Sequence, residues 1–357
     1  MYKVDNYING KSCSISTQSS PIINPSYGRE IGEVHYATTE SANLAVESAY
    51  EAAKSWSKTG LTYRAELILK FRQSVIDRSS EIIDICINEA GKTRPDSEAE
   101  LDRAVQALTH VAGIQHFYPT HFSQNVAGGI DIADLRFPIG VVAGVGPFNF
   151  PILIPILHSS MALVTGNTYI AKPSEKVPSI SRLYADIYED IGLPNGCFNV
   201  INGNKEIVEL LVRHEKVNGL AFIGSTVAAK SLKILGVEHN TKVQALGGGK
   251  NHMIVLPDAD LDMSADAAVS ASFGAAGQRC MAVSVVVAVG DVADELLNKI
   301  KERMPSLVMG VTDDDETQLG PVISQENKDK IYSFIDSAEP DGATLVVDGR
   351  IRSNSLE

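Results

Sequence analysis

Short apolar runs that alternate with helical stretches over residues 139–247 constrain the fold of this chain more than any other feature. The runs, rich in β-branched and small apolar residues, are 139–145, 167–172, 197–203, 219–224 and 242–247. Stretches that fit helices lie between them, near 151–164, 178–191, 204–213 and 226–236. Such a β–α alternation is typical of a parallel sheet covered by helices on both faces, so an α/β fold is expected.

The residues before this region favour helices and a hairpin. Apolar spacing predicts a helix over 40–58 after Thr38, one long helix over 62–90 that ends at Gly91, and a third over 96–115. The glycine-containing stretch 125–137 is typical of a β-hairpin.

A second α/β region follows residue 247. Its expected elements are a strand in "HMIVLPDADLD", a helix before Cys280, a valine-rich strand, helices over 292–304 and in "SQENKDKIYSFIDSAE", and a last strand in "GATLVVDG". The final residues, "RIRSNSLE", fit neither a strand nor a helix.

Composition excludes several functional classes. The 357 residues predict about two domains, and 44% apolar with 21% charged residues is ordinary for a soluble protein. A net charge of −13 disfavours a nucleic-acid partner, and no run is apolar and long enough for a membrane span. The four scattered cysteines form no CxxC pair, which argues against zinc and favours reduced thiols in the cytoplasm.

Three loops at the ends of predicted strands carry groups suited to a ligand. In "GVGPFNFP", Gly144 and Gly146 permit close backbone approach, although the pattern is not GxGxxG and, taken alone, favours a plain glycine turn before a helix. In "KPSEK", Lys172 and Glu175 suit a ribose, and the carboxylate would favour NAD over NADP; the alternative is a solvated turn.

The third loop contains Gly224 and Ser225, which stand at the start of a predicted helix. A helix N-terminus binds phosphate readily, although Ser225 could serve only as an N-cap. Because the carboxyl ends of parallel strands meet at one edge, the three loops together predict a dinucleotide site.

Cys280, in "SFGAAGQRCMAVSVVVAVG", is a candidate nucleophile. The adjacent Arg279 is a cation of the kind that lowers a thiol pKa. A buried structural cysteine is the commoner fate of a lone thiol, and spacing alone leaves both possibilities open.

Five ordered motifs then resemble the aldehyde dehydrogenase superfamily: "GPFNFP", "GNTYIAKPSEKVP", "GLPNGCFNVINGN", "FIGST" and "FGAAGQRCMA". Within it, the motifs "GPFNFP", "KPSEKVP", "GGKNH" and especially "FGAAGQRCMA" are similar to those of the CoA-acylating methylmalonate/malonate-semialdehyde dehydrogenases. The resemblance runs from "NYINGK" to "VVDGR" and implies a Rossmann-like NAD-binding domain followed by an incomplete α/β catalytic domain.

The resemblance also implies residue roles. Cys280 would attack the aldehyde, with Asn149 and the backbone N–H of Cys280 holding the oxyanion. Arg103 and Arg279 would hold a substrate carboxylate, although Arg103 alone reads as a surface ion-pair partner of Asp102 or Glu100. The residues implied for NAD are Gly146, Phe148, Lys172, Glu175, Lys176, Gly224, Ser225 and Gly247.

Leu246 stands where hydrolytic relatives carry a glutamate that activates water. Because leucine cannot remove a proton, the acyl group is expected to pass to coenzyme A with loss of CO2. The alternatives are a truncated, non-catalytic dinucleotide- or partner-binding protein and a hydrolytic dehydrogenase. Malonate and methylmalonate semialdehyde differ by one methyl, too little for the sequence to separate them.

The resemblance finally predicts the domain division. Residues 1–124 and 138–246 would form the NAD-binding domain, 125–137 an oligomerisation hairpin, and 247–357 a partial catalytic domain. Relatives continue beyond "VVDGR", so the chain is expected to be shortened, which puts the homo-oligomer of the relatives in doubt here.

Overall fold

A computed structural model describes residues 1–118 and 120–350. The chain divides into two compact units. The first comprises Met1–Ile22, Glu30–Ile85 and Glu98–Gly247, and the second comprises Ile23–Arg29, Cys86–Ser97 and the described residues from Gly248 onward. Two short segments of the predicted first domain, 23–29 and 86–97, therefore belong to the second unit, while the hairpin region belongs to the first.

The first unit is built on a seven-stranded sheet in the order β12-β11-β8-β9-β10-β2-β3. Its five predicted strands are β8 (Val141–Val145), β9 (Thr168–Lys172), β10 (Phe198–Val200), β11 (Val217–Ile223) and β12 (Lys242–Leu246). All five run parallel, as the alternation predicts, with Val142 opposite Tyr169 and Ala143 opposite Leu220. Two short strands, β2 (Asn6–Ile8) and β3 (Lys11–Cys13), extend the sheet antiparallel beyond β10.

Helices cover both faces of this sheet. The helices of the first 118 residues are α1 (Thr39–Trp56), α2 (Leu61–Asp77), α3 (Ser79–Ala90), α4 (Arg94–Ala112) and α5 (Ile114–Phe117). The crossover helices are α6 (Leu153–Val164), α7 (Ser179–Asp190), α8 (Lys205–Arg213) and α9 (Thr226–Glu238). Strand β9 is buried along its whole length because it lies between helices on both sides.

One predicted helix is wrong in its extent. The segment 62–90 forms two helices, α2 and α3, because Arg78 leaves the helical conformation at φ −102° and ψ 20°. The two serines that follow, Ser79 and Ser80, are weak helix formers that favour a new helix start. The predicted first helix is confirmed, and Thr38 caps it through a reciprocal hydrogen-bond pair with Ser41.

The predicted hairpin is confirmed. It consists of β6 (Phe122–Ala127) and β7 (Ile130–Ala133), joined at Gly128 and Gly129, and every residue of both strands is exposed. A separate three-stranded sheet pairs β1 (Tyr2–Val4), β5 (Arg29–His35) and β4 (Ser19–Asn24) in that order.

The second unit contains a two-stranded parallel sheet of β13 (Asn251–Val255) and β14 (Val283–Ala288). Helices α10 (Leu261–Phe273) and α11 (Ala293–Arg303) pack together beside it, and α12 (Gln325–Ala338) follows. Val255, Ala265 and Leu296 form the centre of its small core. The strand predicted in "GATLVVDG" is wrong: the described residues offer it no pairing strand, and Val346 and Val347 are exposed.

The predicted irregular tail begins at Arg350, and its residues 351–357 lie outside the described part of the chain. Throughout residues 1–118 and 120–350, no helix combines the length and the apolar character that crossing a bilayer requires.

Candidate active site

The three ligand-suited loops lie side by side in the first unit. Strands β11, β8 and β9 are neighbours and parallel, so the residues after their carboxyl ends share one edge of the sheet. The backbone N–H of Gly146 donates to the Lys172 carbonyl at 3.0 Å, and that of Gly224 donates to the Leu246 carbonyl at 3.1 Å. Hydrogen bonds therefore tie the loops to their neighbours and fix their spacing.

Lys172 is a buried cation at the end of β9. Only 6% of its surface is exposed, and its Nζ lies 3.5 Å from Oε2 of the half-exposed Glu175. Burial lowers the pKa of the Lys172 ammonium, while the Glu175 carboxylate opposes that shift. Lys176, on the same loop, is half-buried and donates its backbone N–H to the Ser174 hydroxyl. Lys172 and Glu175 together present one donor and one acceptor, which matches the ability of a ribose hydroxyl to accept and to donate a hydrogen bond.

The amino end of α9 forms the neighbouring loop. Ser225 caps the helix by accepting from the Ala228 N–H at 3.3 Å, and Ser225, Thr226 and Val227 are all exposed. A Cβ at Gly247 would come within 3.0 Å of Thr226, so a side chain there would crowd this helix end. The N-cap is thus present, and the exposed positive end of the helix can also receive a phosphate.

Gly144 has a packing reason to be a glycine. A Cβ at this position would lie 1.9 Å from the Tyr169 hydroxyl, which comes from the adjacent strand β9. The glycine therefore makes room for a fully buried tyrosine. Gly146 is different, because a Cβ there would have Pro155 Cγ as its nearest neighbour at 3.8 Å, which leaves space beside its backbone.

The loop that carries Phe148 and Asn149 is half-buried and anchored at its far end. Oε1 of Glu100, a residue of α4 that is 4% exposed, accepts from the backbone N–H groups of Ile152 and Leu153 at 2.8 Å each. These are donors at the start of α6 that lack partners within the helix. Glu100 thereby holds the loop after Asn149 in place.

Arg103 and Leu246 are both exposed. The Arg103 guanidinium donates to Gln106 Oε1 at 3.2 Å, a contact along the surface of α4 with a different partner from the ion pair considered above. Leu246, at the end of β12, is 51% exposed, and its side chain carries no group that could accept a proton.

Cys280 lies in the second unit, and its side chain is exposed. The structure thus excludes the alternative of a buried structural cysteine. Cys280 follows a tight turn in which Ala275, Ala276 and Gly277 all have left-handed backbones, with φ of 51°, 54° and 70°. This conformation costs an L-residue roughly 1–2 kcal/mol, so two consecutive alanines make the turn strained.

The side chains of Asp96, Gln278 and Asn251 hold this strained turn by hydrogen bonds and an ion pair. Asp96 forms an ion pair with the Arg279 guanidinium and accepts from the Ala275 N–H at 3.1 Å. Gln278 accepts from the Ile323 N–H at 2.9 Å and donates to the Ala275 carbonyl. Asn251 donates to the Cys280 carbonyl at 2.8 Å and to the Ala282 carbonyl at 2.9 Å.

The family of the chain follows from comparison with known proteins. The aldehyde dehydrogenase family profile matches residues 13–357. The chain belongs to this family. A malonate-semialdehyde dehydrogenase of Bacillus pumilus (strain SAFR-032) is 38% identical over 346 residues, which are 97% of this chain and 71% of the relative. A relative of Geobacillus kaustophilus (strain HTA426), named malonate-semialdehyde dehydrogenase 3, is 36% identical over 97% of this chain and 72% of its own length.

Two solved structures support the same family and fold. The methylmalonate-semialdehyde dehydrogenase of Oceanimonas doudoroffii superposes with a TM-score of 0.95 at 38% identity, over 98% of this chain and 72% of its own. A Sinorhizobium meliloti 1021 structure in complex with NAD gives the same TM-score, identity and coverage. The predicted family and the α/β aldehyde dehydrogenase fold are confirmed.

Four positions in this aldehyde dehydrogenase escaped the sequence analysis: Glu100, which anchors the loop after Asn149 in the first unit, and Asp96, Asn251 and Gln278, which hold the turn before Cys280 in the second. Asp96 contacts a residue 183 positions away, and Glu100 contacts a backbone 52 positions away. No local spacing encodes contacts of this range. The "GQRC" and "GGKNH" motifs contain Gln278 and Asn251, so motif membership was the one available signal.

Proposed function

We propose that this protein oxidises malonate or methylmalonate semialdehyde with NAD through a thioester on Cys280, and transfers the acyl group to coenzyme A with loss of CO2. The observation that carries the proposal is an exposed cysteine after a strained, well-held turn, in a chain 38% identical to malonate-semialdehyde dehydrogenases over 97% of its length. The family profile and the fold support the same reaction class.

The residues present fit a dinucleotide. Gly146 leaves space beside its backbone, Lys172 and Glu175 offer a donor and an acceptor, and the exposed start of α9 suits a phosphate. Gly146, Phe148, Lys172, Glu175, Lys176, Gly224, Ser225 and Gly247 would hold NAD. When bound, NAD supplies the acceptor for the hydride that leaves the aldehyde carbon.

The protein's own groups supply the rest. The Cys280 thiolate adds to the aldehyde carbon, and the resulting oxyanion accepts hydrogen bonds from the Asn149 amide and the Cys280 N–H. Donors prearranged in this way are typically worth about 3–4 kcal/mol of barrier each. Arg103 and Arg279 bind the substrate carboxylate, for which the planar guanidinium is well suited.

Leu246 directs the second half of the reaction. Its side chain cannot deprotonate water, so hydrolysis of the thioester has no base at this position. A thiol is a much stronger acid than water and needs less assistance, which favours coenzyme A as the acceptor. The carboxylate β to the acyl carbonyl then leaves as CO2, and the product is acetyl- or propionyl-CoA.

The test is NADH absorbance with malonate semialdehyde, with and without coenzyme A. We expect steady turnover only with coenzyme A, and no turnover by Cys280→Ala. Cys13→Ala is the matched control, because Cys13 lies in β3 outside the proposed site and should keep wild-type rates. Sustained NADH formation without coenzyme A would instead indicate a hydrolytic enzyme.

The hairpin of β6 and β7 is proposed to mediate self-association. Phe122, Ile130 and Ile132 expose 66%, 54% and 56% of their surfaces on it. Apolar side chains this exposed in one element are typical of an interface. Size-exclusion chromatography of the wild type and of Phe122→Ser/Ile132→Ser tests this role: we expect an oligomer that the double variant converts to monomer, and a monomeric wild type would contradict it.

A further inference from the structure

We propose that Asp96 is a positioning residue that holds the nucleophile turn, residues Gly274–Cys280, in its strained conformation. The inference rests on the proposed nucleophile role of Cys280. It concerns a residue outside both the predicted site and the motifs, at the start of α4.

The two oxygens of Asp96 act on opposite ends of the turn. Oδ1 pairs with the Arg279 guanidinium, which precedes the nucleophile directly, and Oδ2 accepts from the Ala275 N–H at 3.1 Å. Ala275 is the first of the three left-handed residues. One carboxylate therefore bridges the strained segment from its start to its end.

The Arg279 guanidinium also packs closely on the turn that Asp96 bridges. A Cβ at Gly274 would come within 2.5 Å of the Arg279 guanidinium, so the guanidinium lies directly over the glycine backbone. The Asp96 side chain is only 15% exposed, and that of Arg279 is 33% exposed. Partial shielding from water strengthens a charge-assisted hydrogen bond, which is needed to keep two alanines in a region they otherwise avoid.

The bridge also gives Arg279 a fixed orientation. Its guanidinium has five N–H donors, and the Asp96 carboxylate can occupy at most part of them. The remaining donors can still meet a substrate carboxylate. Asp96 thus sets both the direction of Arg279 and the backbone that presents the Cys280 thiol.

The experiment is a rescue by glycine. Asp96→Ala removes the bridge, and we expect kcat to fall at least about tenfold. Adding Ala275→Gly and Ala276→Gly should restore at least about threefold, because glycine adopts the left-handed conformation without strain. A purely structural loss would lower the melting temperature of Asp96→Ala in parallel with kcat, so the melting temperatures of the four proteins are measured alongside. The glycine pair alone completes the cycle.

Asp266→Ala is the matched control. Asp266 lines the same cavity of about 370 Å³ as Asp96, and it pairs with Arg303 as Asp96 pairs with Arg279. We expect its kcat to stay within about twofold of wild type. An Asp96→Ala kcat within twofold of wild type would overturn the proposal, and so would a loss that the glycine pair fails to restore.

A second readout separates this proposal from the proposed function. The rate of Cys280 alkylation by iodoacetamide, followed by mass spectrometry, needs no substrate, NAD or coenzyme A. Asp96→Ala should change that rate at least about threefold, and the glycine pair should move it back. If the wild type forms no NADH but alkylation follows this pattern, the reaction assignment fails and the positioning role stands. Alkylation rates equal in all four variants would refute the positioning role.

Discussion

The two units differ in what surrounds their ionisable groups. In the first unit, the largest shifts come from burial, which lowers the pKa of His158 to about 4 and raises that of the Cys197 thiol to about 12. In the second unit, partners dominate. The pKa of Asp262 is lowered mainly by hydrogen bonds from Lys299 and Arg303 at an exposed surface. The largest pKa shifts thus come from desolvation in the first unit and from hydrogen-bonded partners in the second.

The strands show the same contrast. Strand β9 is buried at all five positions, whereas β14 has four half-buried and two exposed residues. A strand covered on both faces is closely packed, so a substitution that changes side-chain volume there lowers stability directly. A partly exposed strand with charged helices beside it depends more on ionic conditions.

The largest effect is expected in the core of the first unit. Phe71→Ala should lower the free energy of unfolding by about 3–5 kcal/mol, because Phe71 is fully buried and stacks on Tyr188 with ring centroids 4.0 Å apart. Urea unfolding followed by the fluorescence of Trp56 measures it, since this buried residue is the only tryptophan and lies in the first unit. Phe334→Ala, which removes a 65% exposed ring from α12, is the control and should leave that transition unchanged.

Acid should destabilise the first unit through His158. Its folded pKa of about 4 lies below the usual value near 6.5, so the unfolded chain binds the extra proton first. Stability is then present above pH 6.5 and is lost as the pH falls toward 4, by about 3 kcal/mol in total. His158→Gln, which cannot titrate, should show a flatter Trp56 unfolding profile over this range. Parallel profiles for the two proteins would contradict a neutral imidazole at His158 in the folded protein.

A binding effect of intermediate size is expected at Lys172. Lys172→Met keeps the length of the buried stem but removes the donor, and KM for NAD should rise about tenfold, equivalent to about 1.4 kcal/mol. The transition reported by Trp56 should change little, because the variant also removes the cost of burying a charge. Lys205→Met, at an exposed ammonium in an ion pair with Glu209, is the control and should leave KM unaltered.

The smallest effect is expected at the ion pairs of the second unit. Arg303→Ala removes contacts to Asp262 and Asp266, both well exposed. Exposed pairs contribute little, and in about 1 M salt the screening length is near 3 Å. The variant should lower the melting temperature slightly at low salt and not at high salt, with no change in the Trp56 transition. A salt-independent loss would show that the second unit relies on these contacts as packing rather than as charge.

Much of the first unit was predictable from local pattern. The five parallel strands and the helices between them follow from alternation, and the ligand loops follow from the rule that strand ends share an edge. The errors have local causes as well. Arg78 interrupts a helix that apolar spacing carries through, and "GATLVVDG" has the residue types of a strand but forms no strand in the described structure.

The features of the site likewise divide into those that local sequence predicts and those that depend on contacts between distant residues. Local sequence was enough to predict the strand and helix order, the positions of the ligand loops and the candidate thiol, because each depends on residues within a few positions of one another. The folded structure was needed to show that Gly144 accommodates Tyr169, that Glu100 anchors the loop after Asn149, and that Asp96 bridges the turn before Cys280. These contacts join residues 25 to 183 positions apart or belong to neighbouring strands, and distance along the chain carries no periodicity from which they could be read.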